Sequence, residues 1–165
     1  MPHELTPQDI EIMQKELDYR RIELMPELLE EVKRTRAFGD LSENYEYKAA
    51  KQAQNANRKR IRYLTRMIQN STVLEDTSAA DEVGLFDRVE LYFEEDDELQ
   101  TVQVVSTVRC DPREGRISRE SPLGRVLLGR RAGDKVTVKV SDAYSYEVEI
   151  RSITKTQDDG SAPVL

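Results

Sequence analysis

Two carboxylates stand three residues apart directly behind a glycine, in Gly39-Asp40-Leu41-Ser42-Glu43. Side chains at that spacing at a helix start can face one side, so Asp40 and Glu43 can offer hard oxygen ligands to one divalent cation. The same spacing outlines a capping box, in which the first acid accepts from a first-turn amide and the second reaches back. Local sequence alone favours that structural reading, while Ser42 is a further cap candidate that would leave both acids free. Other chemistries lack their residues. The only histidine, His3, lies near a frayed end, which argues against a His-based acid, base or metal site. Cys110 is the single cysteine, with no second thiol or close imidazole for a disulfide or zinc site. A reducing compartment, the cytoplasm, is expected.

The acids sit inside a basic island. Lys33, Arg34 and Arg36 precede them, and Lys48 and Lys51 follow. Residues 33–66 carry ten basic side chains against three acidic, although the chain as a whole has a net charge of −7. An acidic protein is poorly suited to wrapping duplex DNA, so the island points to a local polyanion contact, against the alternative of a solvated helix face. Arg58, Lys59, Arg60, Arg62 and Arg66 lie further away and are expected to be solvated or paired with glutamates of the preceding helix. Tyr45 and Tyr47 suit either stacking on a base or packing.

Two helices must position this segment. From Thr6 to about Thr35, Ile10, Met13, Leu17, Leu24, Leu28 and Val32 recur at spacings of three, four and seven, one face of a helix. Thr6-Pro7 is a start signal, and Pro26 predicts a bend. Gly39 ends the pattern and reverses the chain. A second helix is predicted from about Ser42 to Gln69, with Tyr45, Ala49, Ala53, Ala56, Ile61, Leu64 and Ile68 on its apolar side. Joined by a short turn, the two pack as an antiparallel hairpin about 45 Å long.

After a polar stretch the period changes to two. Strands are predicted over 89–93, 101–105, 135–140 and 146–150, with a short helix over 121–129, started by Ser121-Pro122 and closed by Gly129. The fold class is α+β: a two-helix coiled-coil hairpin over 1–75, a linker over 76–81, a small antiparallel sheet domain with one helix over 82–156, and a disordered tail over 157–165. No export signal and no membrane span are expected.

The run Gly39-Asp40-Leu41-Ser42-Glu43-Asn44-Tyr45-Glu46-Tyr47 closely resembles the tip of the Gre family of bacterial transcript cleavage factors, GreA type. Ile117-Ser118, Ser121-Pro122-Leu123-Gly124, Leu127-Leu128-Gly129 and Gly133-Asp134 resemble that family's C-terminal signature. Both blocks occur in order over residues 5–155. The resemblance implies an FKBP-like C-terminal domain and a hairpin inserted through the secondary channel of bacterial RNA polymerase. It implies that the polymerase's own hydrolysis of backtracked transcripts is stimulated, so the chain is not itself an enzyme. Asp40 and Glu43 would then act in trans on a Mg2+ ion shared with the polymerase and bound weakly by the isolated protein, because two carboxylates make an incomplete site. Lys33, Arg34, Arg36, Lys48 and Lys51 would contact the nascent RNA 3′ end or the channel wall, and Pro122 and Leu123 would dock on the polymerase. For that last pair, capping and burying a short helix is the competing role. A monomer is expected. Alternatives are a secondary-channel relative that inhibits or modulates, a coiled-coil adaptor unrelated to polymerase, and, on fold analogy alone, a prolyl isomerase.

Overall fold

The computed structural model describes residues 2–39 and 44–165. The chain divides into two units, one containing Ile10–Thr72 and the other Glu4–Asp9 with Val73–Leu165. No helix among the described residues is long and apolar enough to cross a membrane.

The first unit is a helical hairpin. Its outgoing arm comprises α1 (Pro7–Tyr19), a π-helical segment (Arg20–Leu24) and α2 (Met25–Arg36), and α3 (Tyr45–Gln69) returns. The arm begins as its sequence predicts. Thr6 Oγ1 accepts from the Asp9 amide at 3.0 Å, and the Asp9 carboxylate accepts from the Thr6 amide at 2.9 Å, a reciprocal capping box. The π segment is the local answer to Pro26. An α register would press the proline ring on the Ile22 carbonyl, whereas the Met25 amide donates to Arg20 O, five residues back, and Pro26 falls in the first turn of α2.

The hairpin seam differs from its sequence reading. Met13, Leu17 and Val32 are buried on the outgoing arm as expected, but Ala49, Ala53 and Ala56 face solvent. Ala50, Gln54, Asn57, Leu64 and Met67 are buried instead. Two polar side chains therefore occupy the middle of the seam, a placement that an apolar-face search cannot find. Asn57 is satisfied across it: its Oδ1 accepts from Arg20 Nη1 at 2.9 Å and its Nδ2 donates to Arg20 O at 3.2 Å. Beside it, Glu16 accepts from Arg60 Nε at 2.8 Å, from Arg60 Nη2 at 3.1 Å and from Arg20 Nε at 2.7 Å. The Arg60 hydrogen bond holds the Glu16 carboxyl below the ordinary glutamate range; partial burial opposes it and Arg20 adds to it.

A two-stranded sheet pairs β1 (His3–Leu5) with β2 (Ser71–Val73). The second unit is built on five strands in the order β5-β4-β3-β7-β6, where β3 is Arg88–Phe93, β4 Glu98–Val105, β5 Arg116–Ser118, β6 Lys135–Lys139 and β7 Ser145–Thr154. The sheet is mixed where an antiparallel one was expected, because β5 pairs parallel to β4 through Gln103 and Arg116 to Val105 and Ser118. Val89 and Leu91 of β3, Val102 and Val104 of β4, Val136 and Val138 of β6, and Val148 and Ile150 of β7 bury one face together with Leu127. That residue lies on α4 (Pro122–Leu127), whose Ser121 cap, Pro122 start and Gly129 stop match the sequence reading. Residues 76–81, expected to link the units, group with the sheet: Arg131 Nε donates to Asp81 at 2.7 Å, and Lys155 Nζ to Ser78 at 3.1 Å.

The tail is the plainest correction. Residues 157–165, expected to be disordered, pack on the sheet unit because they complete the partners of a fully buried arginine. Arg109 donates to both Asp158 oxygens at 2.7 Å, to Asp9 at 3.0 Å and to the Ala162 carbonyl at 2.6 Å, with Phe86 under its guanidinium at 4.9 Å. Leu165 N donates to Val108 O, and Ala162 and Val164 are buried. Burial opposes the Arg109 charge, and Asp158 and Asp9 more than offset it, so its pKa is raised.

Removing one partner of a buried ion pair costs about 3 kcal/mol, so Asp158→Ala is expected to lower the urea midpoint by that equivalent. An unchanged midpoint would show the tail to be dispensable. Because the Glu16 pKa is depressed in the folded state, its stabilisation is present above the unfolded value of about 4.3 and is lost as pH falls through the folded one. Helicity melts followed from pH 6 to pH 3 should therefore show a decline that Glu16→Gln flattens.

Candidate functional site at the end of the hairpin

At the far end of the hairpin one carbonyl joins both arms. Thr35, buried near the end of α2, turns its hydroxyl back to Glu31 O at 2.9 Å and Val32 O at 3.2 Å. Its own carbonyl accepts from the Phe38 amide at 3.2 Å and from Asn44 Nδ2 at 2.6 Å. Asn44 is also the N-cap of α3, with Oδ1 accepting from the Tyr47 amide at 3.0 Å. One amide side chain thus caps the second helix and ties it to the first. Gly39 has φ +103°, with open space where a Cβ would stand, so the backbone angle alone calls for glycine there.

This geometry bears on the acids. The sequence offered Asp40 and Ser42 as caps, whereas Asn44, the residue adjoining the first helical turn, takes the role. Asp40 and Glu43 lie outside the described residues, as does Ser42, the predicted start of the second helix. With Asn44 as its cap, α3 requires neither acid for that purpose.

Of the flanking cations, Arg34 is already engaged. It binds Glu31 at 2.6 Å, approaches Glu46 at 3.9 Å and lies over the Phe38 ring at 5.2 Å. The Glu31 hydrogen bond raises the Arg34 pKa and lowers that of Glu31. Lys33 stands 3.7 Å from Glu30, and Arg36 is exposed. Lys48 lies over the Tyr45 ring at 5.6 Å, and Lys51 Nζ reaches Gln54 at 3.4 Å. Arg60, expected to be solvated or paired with the first helix, pairs through Glu16. Tyr45 is 81% exposed and Phe38 57%, whereas Tyr47 is half-buried. Phe38 escaped the sequence reading; its signal was an aromatic residue directly before the chain-reversing glycine.

On the sheet unit, Pro112, Ile117, Pro122, Leu123, Val140 and Tyr146 line a shallow apolar groove. Pro122 is exposed at the first turn of α4, and Leu123 packs partly against the core. Gly124 is required by space: a Cβ there would meet the Ser118 carbonyl at 2.1 Å. No group of three acidic, histidine or cysteine side chains suited to a metal occurs among the described residues.

Losing a cap and a cross-seam hydrogen bond together costs about 1–3 kcal/mol, so Asn44→Ala should lower the hairpin's unfolding midpoint. Asn44→Asp keeps the acceptor for Tyr47 and loses the donor to Thr35. Amide exchange should therefore quicken at Tyr47 in the Ala variant and stay slow in the Asp variant, and equal exchange in both would refute the clamp.

Comparison with known proteins places these features. Residues 3–73 match the family model for the N-terminal domain of transcription elongation factors of the GreA and GreB type, and residues 77–155 the model for their C-terminal domain. The chain is 41% identical over 136 residues to transcription elongation factor GreA of Geobacillus kaustophilus, covering 82% of this chain and 86% of that protein. It is 33% identical over 150 residues to GreA of Macrococcus caseolyticus, covering 91% and 95%. Among solved structures, GreA factor homolog 1 of Thermus thermophilus aligns with a TM-score of 0.44 at 26% identity, over 94% of this chain and 100% of that one. With both domain models matched in order and relatives aligned over most of its length, the chain belongs to the GreA/GreB family of transcription elongation factors.

Proposed function

We propose that this factor inserts its hairpin into the secondary channel of RNA polymerase and stimulates the polymerase's own cleavage of backtracked RNA. The observation that carries this reading is the Asn44 cap: with α3 closed by Asn44, Asp40 and Glu43 are spared for a partner beyond the hairpin. The chain supplies ligands and position, and the polymerase supplies the active centre, so the factor is an accessory and not an enzyme.

The donor set suits magnesium, which takes carboxylate oxygens and keeps several waters. Asp40 and Glu43 would hold the ion together with polymerase groups and RNA phosphates, since two carboxylates leave an octahedral site unfilled. When bound, the ion supplies charge stabilisation for hydrolysis of a phosphodiester. The protein's own contribution is placement. A hairpin registered by buried polar side chains fixes Thr35 and Asn44, the residues that border this segment, and positioning of a reacting group can account for a large share of a catalysed rate.

Lys33, Arg36, Lys48 and Lys51 are exposed near the same end and would offer charge to the extruded 3′ segment of the transcript. Arg34, paired with Glu31, contributes less until that pair opens. Pro122 and Leu123 would dock the sheet unit on the polymerase through the apolar groove they line. An adaptor without polymerase has no use for spared acids beside a basic flank.

Asp40→Asn or Glu43→Gln is expected to abolish release of short fragments from 3′-labelled RNA in backtracked complexes while polymerase binding is retained. Binding without fragments by the unaltered protein would instead assign it an inhibitory or modulating role.

A further inference from the structure

Two aromatic rings at the end of the hairpin are left in solvent. Phe38 and Tyr45 are 57% and 81% exposed, the latter the most exposed large apolar side chain among the described residues. Burying neither ring in a seam whose middle is built from Gln54 and Asn57 is an unusual use of apolar surface. Both arise within a few residues of one point, because the Phe38 amide and the Asn44 side chain meet at the Thr35 carbonyl and Tyr45 follows Asn44. Each ring also carries a cation at its face: Arg34 at 5.2 Å from the Phe38 centroid and Lys48 at 5.6 Å from that of Tyr45.

We infer that Phe38 and Tyr45 form a stacking platform for unpaired nucleobases of single-stranded RNA, with Lys48 set to follow the phosphates. The inference rests on the reading that this end of the hairpin meets extruded transcript, and it names the part of the transcript that is gripped. Exposed rings interleaved with cations are the pattern by which proteins hold single strands, since every base presents a π-face. Such a grip tolerates any sequence, as a factor acting on arbitrary transcripts requires. The rings are held by cation–π contacts beside the Asn44–Thr35 hydrogen bond, so little ordering of these side chains is lost when a base replaces water. Tyr47 takes no part: it is half-buried, with its amide committed to Asn44.

The competing occupant is a protein surface of the polymerase, and the chemistry of the RNA separates the two. Full-length protein would be added at subsaturating concentration to backtracked complexes whose extruded 3′ nucleotides are either natural or abasic. On natural RNA, Phe38→Ala and Tyr45→Ala are each expected to slow fragment release about tenfold, Phe38→Trp and Tyr45→Trp to preserve it, and helicity to be unchanged. On abasic RNA the unaltered protein should fall to the rate of the double alanine variant, and the substitutions should have no further effect. Cleavage by the unaltered protein that is blind to abasic sites, or alanine losses equal on both RNAs, would overturn the platform while leaving the cleavage reading intact. Failure of the unaltered protein to release fragments from any complex would overturn both.

Discussion

Polar side chains buried between elements must find partners across the gap, and this molecule is organised by that requirement. An unmade hydrogen bond in a dry seam costs about 1–3 kcal/mol, comparable to burying a whole apolar side chain. The middle of the hairpin offers little apolar surface to compensate. Asn57 therefore has to meet Arg20, and Asn44 has to meet Thr35. These are register constraints: sliding the helices by one turn would break each of them at once, whereas a seam of leucines tolerates neighbouring alignments more readily. The sheet unit obeys the same rule at Arg109, where Asp9 and Asp158 come from opposite ends of the sequence to satisfy one guanidinium.

A fixed register matters because the candidate site lies at the hairpin's end. Any slip along the seam would translate directly into displacement of that end. The π segment belongs to the same device. It absorbs Pro26 without terminating the arm and brings the Arg20 carbonyl to where both Met25 N and Asn57 Nδ2 reach it. Pro26 is thus accommodated by a local change of hydrogen-bond ladder, with the polar bridge set at the place where the ladder changes.

The two units divide the work by surface chemistry. The hairpin's end concentrates cations and exposed rings in a chain that is acidic overall, a distribution suited to a local encounter with a polyanion and unsuited to general nucleic-acid affinity. The sheet unit instead presents an apolar groove beside Pro122 and Leu123, and its tail serves stability through Asp158.

Much of this was legible in the order of residues. The stripe of Met13, Leu17 and Val32, the Thr6-Pro7 start of α1, the alternating strands and the Ser121-Pro122 start of α4 are local patterns, and local backbone preferences and periodic burial suffice to determine them. The adjacency of Asp40 and Glu43 to Gly39, and the family likeness of that run, were equally open to inspection. Tertiary structure decided the rest. It placed Gln54 and Asn57 in the seam and left Ala49, Ala53 and Ala56 outside it, made Asn44 the cap of the returning helix, added a parallel strand at Arg116–Ser118, and recruited the tail to Arg109. Each of these depends on a partner far away in the chain, and whether a polar residue is buried or exposed is set by the presence of that partner, which no local pattern contains.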